Sequence, residues 1–537
     1  MIGVHVYNRE IEYKDNHDNI TRALGDYNIT VSYHSKYDKQ VFFETETHLV
    51  FLDGWVFSAD NYAKQAEYVL EKYIQDSSNF IYELNGQFNI VVCNKKLSSF
   101  VYYTDIFSFR KQYYSLEQGE LLLSSDLTFL KNNIKKKTLN IDHIKKNISL
   151  PRFIDKSETF IEEIKQVFSC MKIIDNHILD YSIERVREKF EKKETNPELF
   201  LEKIKRKISK VHNNENLLLL LSGGLDSRFL LEIFKDLNFK PQTATYGTEI
   251  SDEVSISSLV AKCNEVKHFI CNLDAKDFIL DSEKYINDTQ GLDIFVQSSV
   301  YKFYAYLKNK VKENSVIDTG FALDVFIGGS YVNDVKKFQN DINISDLEIS
   351  NLSEYSTENR VFSSLAIRQS AHREFYEDRY SMFDYEIYFL MKNLPDDLIK
   401  DNKFYYSLCE LQIKNSFHIP LQLTMFDLRL APKEWKNAEA IQFEKEKYVL
   451  DYFKKNNIAI YHNRYYSDFD MWIRADKDWK LLIEKMFLEN ESYLAKHFLD
   501  QSIIENTIIQ HMKGEKSHLR NIVKWVSLEL FFKANVS

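Results

Sequence analysis

Cysteine, proline and glycine are all scarce in this chain, and each shortage excludes something. The five cysteines among 537 residues (Cys93, Cys170, Cys263, Cys271 and Cys409) show no paired metal-ligand spacing and are odd in number. They exclude a disulfide scaffold and a paired-cysteine zinc site, and reduced thiols are the simplest account. Six prolines and 13 glycines exclude a collagen-like or low-complexity architecture. No run of about 18 apolar residues occurs, so no membrane-spanning helix is expected. Met1-Ile-Gly-Val-His-Val-Tyr7 alternates like a strand and lacks the charged start and apolar stretch of a secretory signal, which points to a cytoplasmic setting. Positive charge is not in excess either. With 70 Lys and Arg against 80 Asp and Glu, the net charge of −10 argues against nucleic acid as the main partner. The local basic clusters at 131–137 and 203–210 read as solvated faces.

What is present describes a globular chain long enough for two to four domains, with 44% apolar and 14% aromatic residues. Residues 1–178 read as an α+β domain of layered antiparallel strands and helices. Its strand candidates are Met1–Tyr7, Gln40–Phe51, Phe88–Cys93, Ser99–Tyr103 and Leu121–Ser124, with Lys165–Ile174 closing it and a helix near Asp60–Gln75. Residues 179–212 are charge-rich and read as a helical connector. From 213 to 537 strands and helices alternate and then give way, after about residue 350, to mostly helical pattern. Strands are expected at Leu217–Leu221, Thr243–Tyr246, Val266–Leu273 and Ser315–Asp318, with helices after the first and over Ser251–Ala261 and much of Ser282–Leu307. That alternation implies an α/β domain with a doubly wound parallel sheet, whose ligands bind beyond the carboxyl ends of the strands, followed by a helical extension.

The densest chemistry lies at one such end. Leu217–Leu221 runs into Ser222-Gly-Gly-Leu-Asp-Ser227, and an apolar-periodic segment follows (Phe229, Leu230, Leu231, Ile233, Phe234, Leu237). A buried strand, a glycine turn and a helix start make an anion site from backbone N–H groups, most naturally for phosphate. Gly223 and Gly224 allow close approach, and Ser222 and Ser227 offer hydroxyls. Asp226 reads as a Mg²⁺ ligand, since polyphosphate chemistry needs a hard cation held by carboxylates. The plain alternative is a strand-to-helix turn capped by Asp226.

Three stretches together resemble the asparagine synthetase family, which pairs a glutaminase-type domain with an ATP-pyrophosphatase-type synthetase domain. Ser222–Ser227 matches that family's pyrophosphate loop. Thr319-Gly-Phe-Ala-Leu-Asp-Val-Phe-Ile-Gly-Gly329 is similar without gaps to its Ser-Gly-Glu-Gly-(Ser/Ala)-Asp-Glu-Val-Phe-Gly-Gly. Leu84-Asn-Gly-Gln-Phe88, Asp105 with Arg110–Tyr114, and Leu123-Ser-Ser125 follow its order of motifs. The resemblance implies an adenine-nucleotide alpha-hydrolase-like fold for the second domain and ATP and Mg²⁺ as cofactors. It makes Asp226 and Asp324 the metal ligands, and it assigns ATP contacts to Leu221, Ser222, Gly223, Gly224, Asp226, Ser227, Tyr246, Thr319 and Gly320. Arg379-Tyr-Ser-Met-Phe-Asp384 resembles the family's Arg-x-Pro-Phe-Leu-Asp segment without its proline. The following Asp401–Leu408 resembles the segment carrying a lysine for adenylation, which makes Lys403 the catalytic candidate.

Departures from the family shape the functional expectation. Glutamine-hydrolysing members begin Met-Cys-Gly, whereas this chain has Met1-Ile2-Gly3, and isoleucine offers no nucleophile. Asp53-Gly54-Trp55 stands where Asn-Gly-Glu holds glutamine, and Phe321 stands where a substrate-linked glutamate lies. Lost glutaminase residues and an altered substrate loop also mark β-lactam synthetase and the lasso-peptide macrolactam cyclases. The expectation is an ATP-dependent, AMP-forming carboxylate–amine ligase acting on a small-molecule or peptide carboxylate and amine, without glutamine hydrolysis, as in peptide macrocyclisation. Two alternatives stay open: an amidotransferase using free or partner-supplied ammonia, as in sugar-acid amidation, and a catalytically silent nucleotide-binding scaffold. No membrane or nucleic-acid partner is expected, while a homodimer or a pathway partner protein stays open.

Overall fold

In a computed structural model of the chain, the described residues are 2–149, 157–327, 365–422 and 466–536, except 175, 192, 213–214, 250, 400–401 and 490–491. The first part of the chain supplies β1 (Gly3–Asn8), β2 (Asp18–Leu24), β3 (Tyr27–Tyr33), β4 (Phe42–Glu44), β5 (His48–Val56), β6 (Gly86–Asn94), β7 (Ser99–Thr104), β8 (Tyr113–Glu117), β9 (Glu120–Ser124), β10 (Lys165–Gln166), β11 (Met171–Ile174) and β12 (His177–Asp180). They form two six-stranded sheets, ordered β10-β8-β9-β1-β3-β2 and β12-β11-β7-β6-β5-β4, with every recorded pairing antiparallel. Strand alternation explains their stacking. Val4, Val6, Ile29 and Val31 of one sheet meet Leu49, Phe51, Val91 and Cys93 of the other in one core. The intervening Val50, Leu52, Ile90 and Val92 point to the far side, toward Ala66, Val69 and Leu70 of helix α1 (Gln65–Gln75). The first sheet's outer residues Tyr7, Tyr113 and Leu122 likewise meet Leu127 and Leu130 of α2 (Leu127–Asn133). Helix, sheet, sheet and helix are thus stacked in layers.

The expected strands recur with shifted limits. Gln40–Phe51 splits into β4 and β5 around a tight hairpin, and Lys165–Ile174 splits into β10 and β11. β2, β3, β8 and β12 were not expected. β2 is mostly exposed, so it lacks the buried alternation that marks a strand. The connector holds α3 (Ile183–Phe190) and α4 (Pro197–Val211), the latter opened by Asn196, whose side chain accepts the Leu199 N–H, and by Pro197 at the first turn.

The second domain is built on a four-stranded parallel sheet of β13 (Leu217–Leu220), β14 (Gln242–Gly247), β15 (His268–Asn272) and β16 (Val316–Thr319), in the order β15-β14-β13-β16. Leu217, Leu219 and Leu221 enter one core and Leu218 the other, so the leucine run is buried on both faces, as a parallel strand requires. Helices α5 (Asp226–Asp236) and α6 (Asp252–Cys263) follow β13 and β14, and α7 (Ser299–Lys308) precedes β16. Gln290 at φ 46° and Gly291 at φ 74° interrupt the expected helix over Ser282–Leu307. The chain moves outward from β13 to β14 and β15, then returns to place β16 on β13's other side. That reversal puts a topological switch point between the carboxyl ends of β13 and β16, the place where such sheets form a ligand crevice. Beyond it lie α8 (Leu323–Phe326), α9 (Tyr385–Lys392), α10 (Lys403–Gln412) and a helical C-terminal region ending in α11 (Leu519–Asn535). Among the described residues no helix is long and apolar enough to cross a membrane.

Candidate nucleotide-binding site

The loop after β13 is organised by its own hydroxyls. The Ser227 Oγ accepts the Ser222 N–H at 3.0 Å and lies 2.9 Å from the Ser222 Oγ, which accepts the Gly224 N–H at 3.2 Å. The loop is therefore pre-shaped before any ligand arrives. Gly320, at the end of β16, presses on the start of α5. A Cβ on it would lie 2.3 Å from the Asp226 carbonyl carbon, 2.4 Å from the Ser227 nitrogen and 2.5 Å from the Asp226 oxygen. Only a glycine lets these backbones touch. The two motifs thus converge at the sheet's switch point although about 100 residues separate them.

Leu221, Tyr246 and Thr319 line the same strand ends. Leu221 donates its N–H to the Ala244 carbonyl at 2.9 Å, and its own carbonyl accepts the Thr245 hydroxyl. The half-buried Tyr246 ring sits 4.8 Å from that of Phe303 and 5.6 Å from that of Tyr466. The Thr319 Oγ1 accepts the Phe321 N–H at 3.0 Å, fixing the turn after β16.

Of the two metal-ligand candidates, Asp226 opens α5 half-buried, and its carboxylate accepts the Tyr405 hydroxyl from α10. The backbone of Asp324 lies in α8, which begins after Ala322 at φ 71°, while its side chain lies outside the described residues. Gly328 and Gly329 of that motif also lie outside them. Among the described residues no group of three or more His, Cys, Asp and Glu side chains could hold a metal. Oxygen donors beside a phosphate-type loop nonetheless suit a hard cation that completes its shell with phosphate and water. Lys403 is exposed, and two residues along a helix turn the side chain by about 200°. Lys403 therefore points away from the side on which Tyr405 meets Asp226.

Several residues missed in the sequence brace this loop. Arg228 is fully buried and donates to the carbonyls of Ser416 (3.1 Å), Ile419 (2.7 Å), Pro420 (3.1 Å) and Gly223 (3.5 Å). Burial lowers its guanidinium to about 10, against the pull of Glu232, so it stays a cation at neutral pH. One turn on, Glu232 accepts the N–H groups of Lys414 (2.6 Å), Asn415 (3.0 Å) and Ser416 (3.0 Å). Together they clasp segment 414–420 onto α5, and the Gln422 N–H reaches the Gly223 carbonyl at 3.1 Å. Glu253, in the first turn of α6, brings a carboxylate oxygen to 3.3 Å from where a Cβ on Gly223 would stand, and burial raises its carboxyl to about 7, with the Gly223 backbone opposing. Its place beyond the end of β14 was a usable signal, because ligands gather at such ends.

A second cluster lies under β16. His212 is buried with Nδ1 2.5 Å from Glu215 and Nε2 2.9 Å from Asp318. A neutral imidazole has a single N–H and cannot satisfy two carboxylates. Burial alone would lower its pKa, but Asp318 and Glu215 together raise it. Asp318 also accepts the Thr319 N–H at 2.7 Å and the Ser381 hydroxyl at 2.7 Å, so this cation steadies the strand end carrying Thr319 and Gly320.

In the first domain Ile2 is buried, and a Cβ on Gly3 would lie 2.4 Å from the Ser125 Oγ. Asp53 pairs with Arg110 at 2.7 Å, and Arg110 reaches Asp378 at 2.5 Å. Glu377 pairs with Lys39 at 2.6 Å, and Arg373 meets Asp378 at 3.1 Å. Burial would raise the Glu377 carboxyl, yet Lys39 and Arg110 pull it down to about 2. Residues 377–379 bond to Ile317 of β16, so this ion network ties the first domain to the strand that ends at the crevice. Phe321 packs with aromatic rings from both domains, 5.7 Å from Phe109 and stacked on Phe383 at 6.1 Å.

Residues 204–387 match the model of the asparagine synthase family. The match spans the loop, the crevice and the Arg379–Asp384 segment. No curated protein matches the chain. Among solved structures, one described as a "predicted subunit of tRNA methyltransferase" from Methanocaldococcus jannaschii is 18% identical, over 27% of this chain and 75% of that one, with a TM-score of 0.16. A second, described as the allosteric regulatory enzyme of purine biosynthesis, is 7% identical over 71% of this chain and 74% of that one, with a TM-score of 0.22. Similarities at such TM-scores carry no argument.

Proposed function

We propose that the protein is an ATP-dependent ligase that joins a carboxylate to an amine with release of AMP and pyrophosphate. The observation that carries this reading is the contact of Gly320 with Asp226 and Ser227, which sets the two motifs of the family match around one crevice. In the proposed reaction a substrate carboxylate oxygen bonds to the α-phosphorus of ATP as the bond to the bridging oxygen breaks, and pyrophosphate leaves. The amine nitrogen then bonds to the acyl carbon, AMP leaves with the electron pair of its C–O bond, and the nitrogen loses a proton. Ser222–Ser227 holds the leaving pyrophosphate, while Leu221, Tyr246 and Thr319 position the adenosine; such positioning and charge stabilisation supply most of the catalysis. Asp226 and Asp324 would hold Mg²⁺, which neutralises charge on the phosphates. Lys403 belongs to this proposal as a charge-stabilising residue, its segment turning toward the crevice on substrate binding.

The buried Ile2 and the Asp53–Arg110 pair, at positions that serve glutamine in the resembled family, support a reaction without glutamine hydrolysis. An amine carried by the substrate, as in peptide macrocyclisation, fits that loss. Ammonia from solution or a pathway partner is the second reading, favoured by retention of the two stacked six-stranded sheets in the first part of the chain. A cytoplasmic setting also belongs to the proposal, in keeping with five free cysteines. ATP–pyrophosphate exchange with a panel of carboxylic acids, with ammonium and tethered amines compared as acceptors, tests the reading. Acid-dependent exchange lost in Asp226→Ala supports it, and exchange at the wild-type rate in that variant refutes it.

A further inference from the structure

Residues 377–380 run beside β16 as a strand would, and both of their edges are occupied. On one edge the Ile317 N–H donates to the Glu377 carbonyl at 2.9 Å, and the Arg379 N–H donates to the Ile317 carbonyl at 2.9 Å, in a parallel bridge. On the other edge two side chains from the first part of the chain stand in for a neighbouring strand. The Trp55 Nε1–H donates to the Asp378 carbonyl at 2.8 Å. The Gln87 amide grips Tyr380 twice, donating to its carbonyl at 2.8 Å and accepting its N–H at 3.3 Å. Trp55 and Gln87 are registered partners on β5 and β6, and both are almost fully buried. Their bonds fall on Asp378 and Tyr380, the alternate spacing at which an extended backbone turns its polar groups to the same edge.

The next residue carries that grip to the crevice. Ser381 donates its N–H and its hydroxyl to one oxygen of Asp318, at 3.2 and 2.7 Å, and the other oxygen accepts the Thr319 N–H at 2.7 Å. Resting on the nucleotide reading above, we infer that Gln87, with its neighbour Trp55, is a positioning residue for the nucleotide site. It holds the segment that sets where β16 presents Thr319 to the adenosine. The influence runs through Tyr380, Ser381 and Asp318 rather than through contact with the ligand. A buried N–H or carbonyl that loses its partner is costly, so without the Gln87 amide the segment shifts toward other partners and takes the end of β16 with it. The Ser222–Ser227 loop keeps its shape, because its own hydroxyls hold it.

Calorimetric titration of the full chain with ATP and, separately, with inorganic pyrophosphate, both in Mg²⁺, tests this on the wild type, Gln87→Met and Trp55→Phe. Methionine keeps the length of glutamine and removes both hydrogen bonds to Tyr380. Phenylalanine keeps an aromatic ring and removes the bond to Asp378. The expected result in Gln87→Met is ATP affinity weaker by about tenfold, with pyrophosphate affinity unchanged. Trp55→Phe moves ATP affinity in the same direction, and it carries the test alone if melting curves show Gln87→Met unfolded. Equal losses for ATP and pyrophosphate, the mark of general loosening, overturn the inference. Wild-type ATP affinity in the folded variants also overturns it, and either result leaves the nucleotide reading intact. A wild type that binds neither ligand overturns the nucleotide reading, and the inference with it.

Discussion

Replacing Gly320 by alanine probes the point where the two motifs touch. The added methyl would lie 2.3 to 2.5 Å from three backbone atoms of Asp226 and Ser227, none of which can rotate away as a side-chain tip could. Restoring ordinary contact requires the start of α5 and the end of β16 to separate by roughly 1 Å, an overpacking strain of about 1–3 kcal/mol. At about 2–4 °C per kcal/mol for a domain of this size, the melting temperature should fall by several degrees. The separation also pulls Ser227 and Asp226 away from Thr319, and a misplacement of about 1 Å commonly costs on the order of 100-fold in a positioned reaction. Gly320→Ala should therefore lose nucleotide affinity or turnover far beyond its loss of stability. Differential scanning calorimetry and ATP titration of the same preparation check both parts. Wild-type melting together with wild-type ATP affinity would refute the argued contact.

Other perturbations separate the remaining parts of the site. Arg228→Met takes a donor from the carbonyls of Ser416, Ile419, Pro420 and Gly223, of which Ser416 and Gly223 keep the N–H groups of Ile419 and Gln422, and should cost about 2–5 kcal/mol; limited trypsin digestion should show faster cleavage after Lys414, and an unchanged digestion pattern counts against the clasp. Tyr405→Phe removes the hydroxyl that holds Asp226, so the Mg²⁺ concentration for half-maximal nucleotide binding should rise about tenfold, and no change would show that Tyr405 does not position that carboxylate. His212 has a raised folded pKa, so its stabilisation is fully present below its ordinary value of about 6.5 and is lost as pH climbs through the raised value. The stability gap between wild type and His212→Gln should thus be larger at about pH 6 than at about pH 9 in urea melts, and a gap that widens with pH contradicts a buried imidazolium.

Much of the architecture is legible in the sequence because burial writes itself as periodicity. Leu217–Leu221, buried from both sides, and the alternating Val4/Val6 and Val50/Leu52 patterns report their own environments. β2 escapes notice because its exposed residues carry no such pattern. The Ser222–Ser227 loop is legible for a different reason, since its chemistry is local: glycines, hydroxyls and one carboxylate lie within six residues. Arg228, Glu232, Glu253 and Tyr405 carry no comparable mark. A lone charged residue in a helical pattern looks solvated until its partners, up to 192 positions away, are known.

The sequence alone therefore determined the antiparallel strands of the first part, the parallel sheet and the strand–loop–helix turn at Ser222–Ser227, each encoded in neighbouring residues. Only the tertiary structure decided that Gly320 abuts Asp226, that the Glu253 carboxylate comes up beside Gly223, that Lys403 faces outward and that Phe321 sits among aromatic rings from both parts of the chain. The physical reason is that periodicity reports what a residue is buried against only as polar or apolar, whereas strand order and helix packing fix which distant atoms share a hydrogen bond.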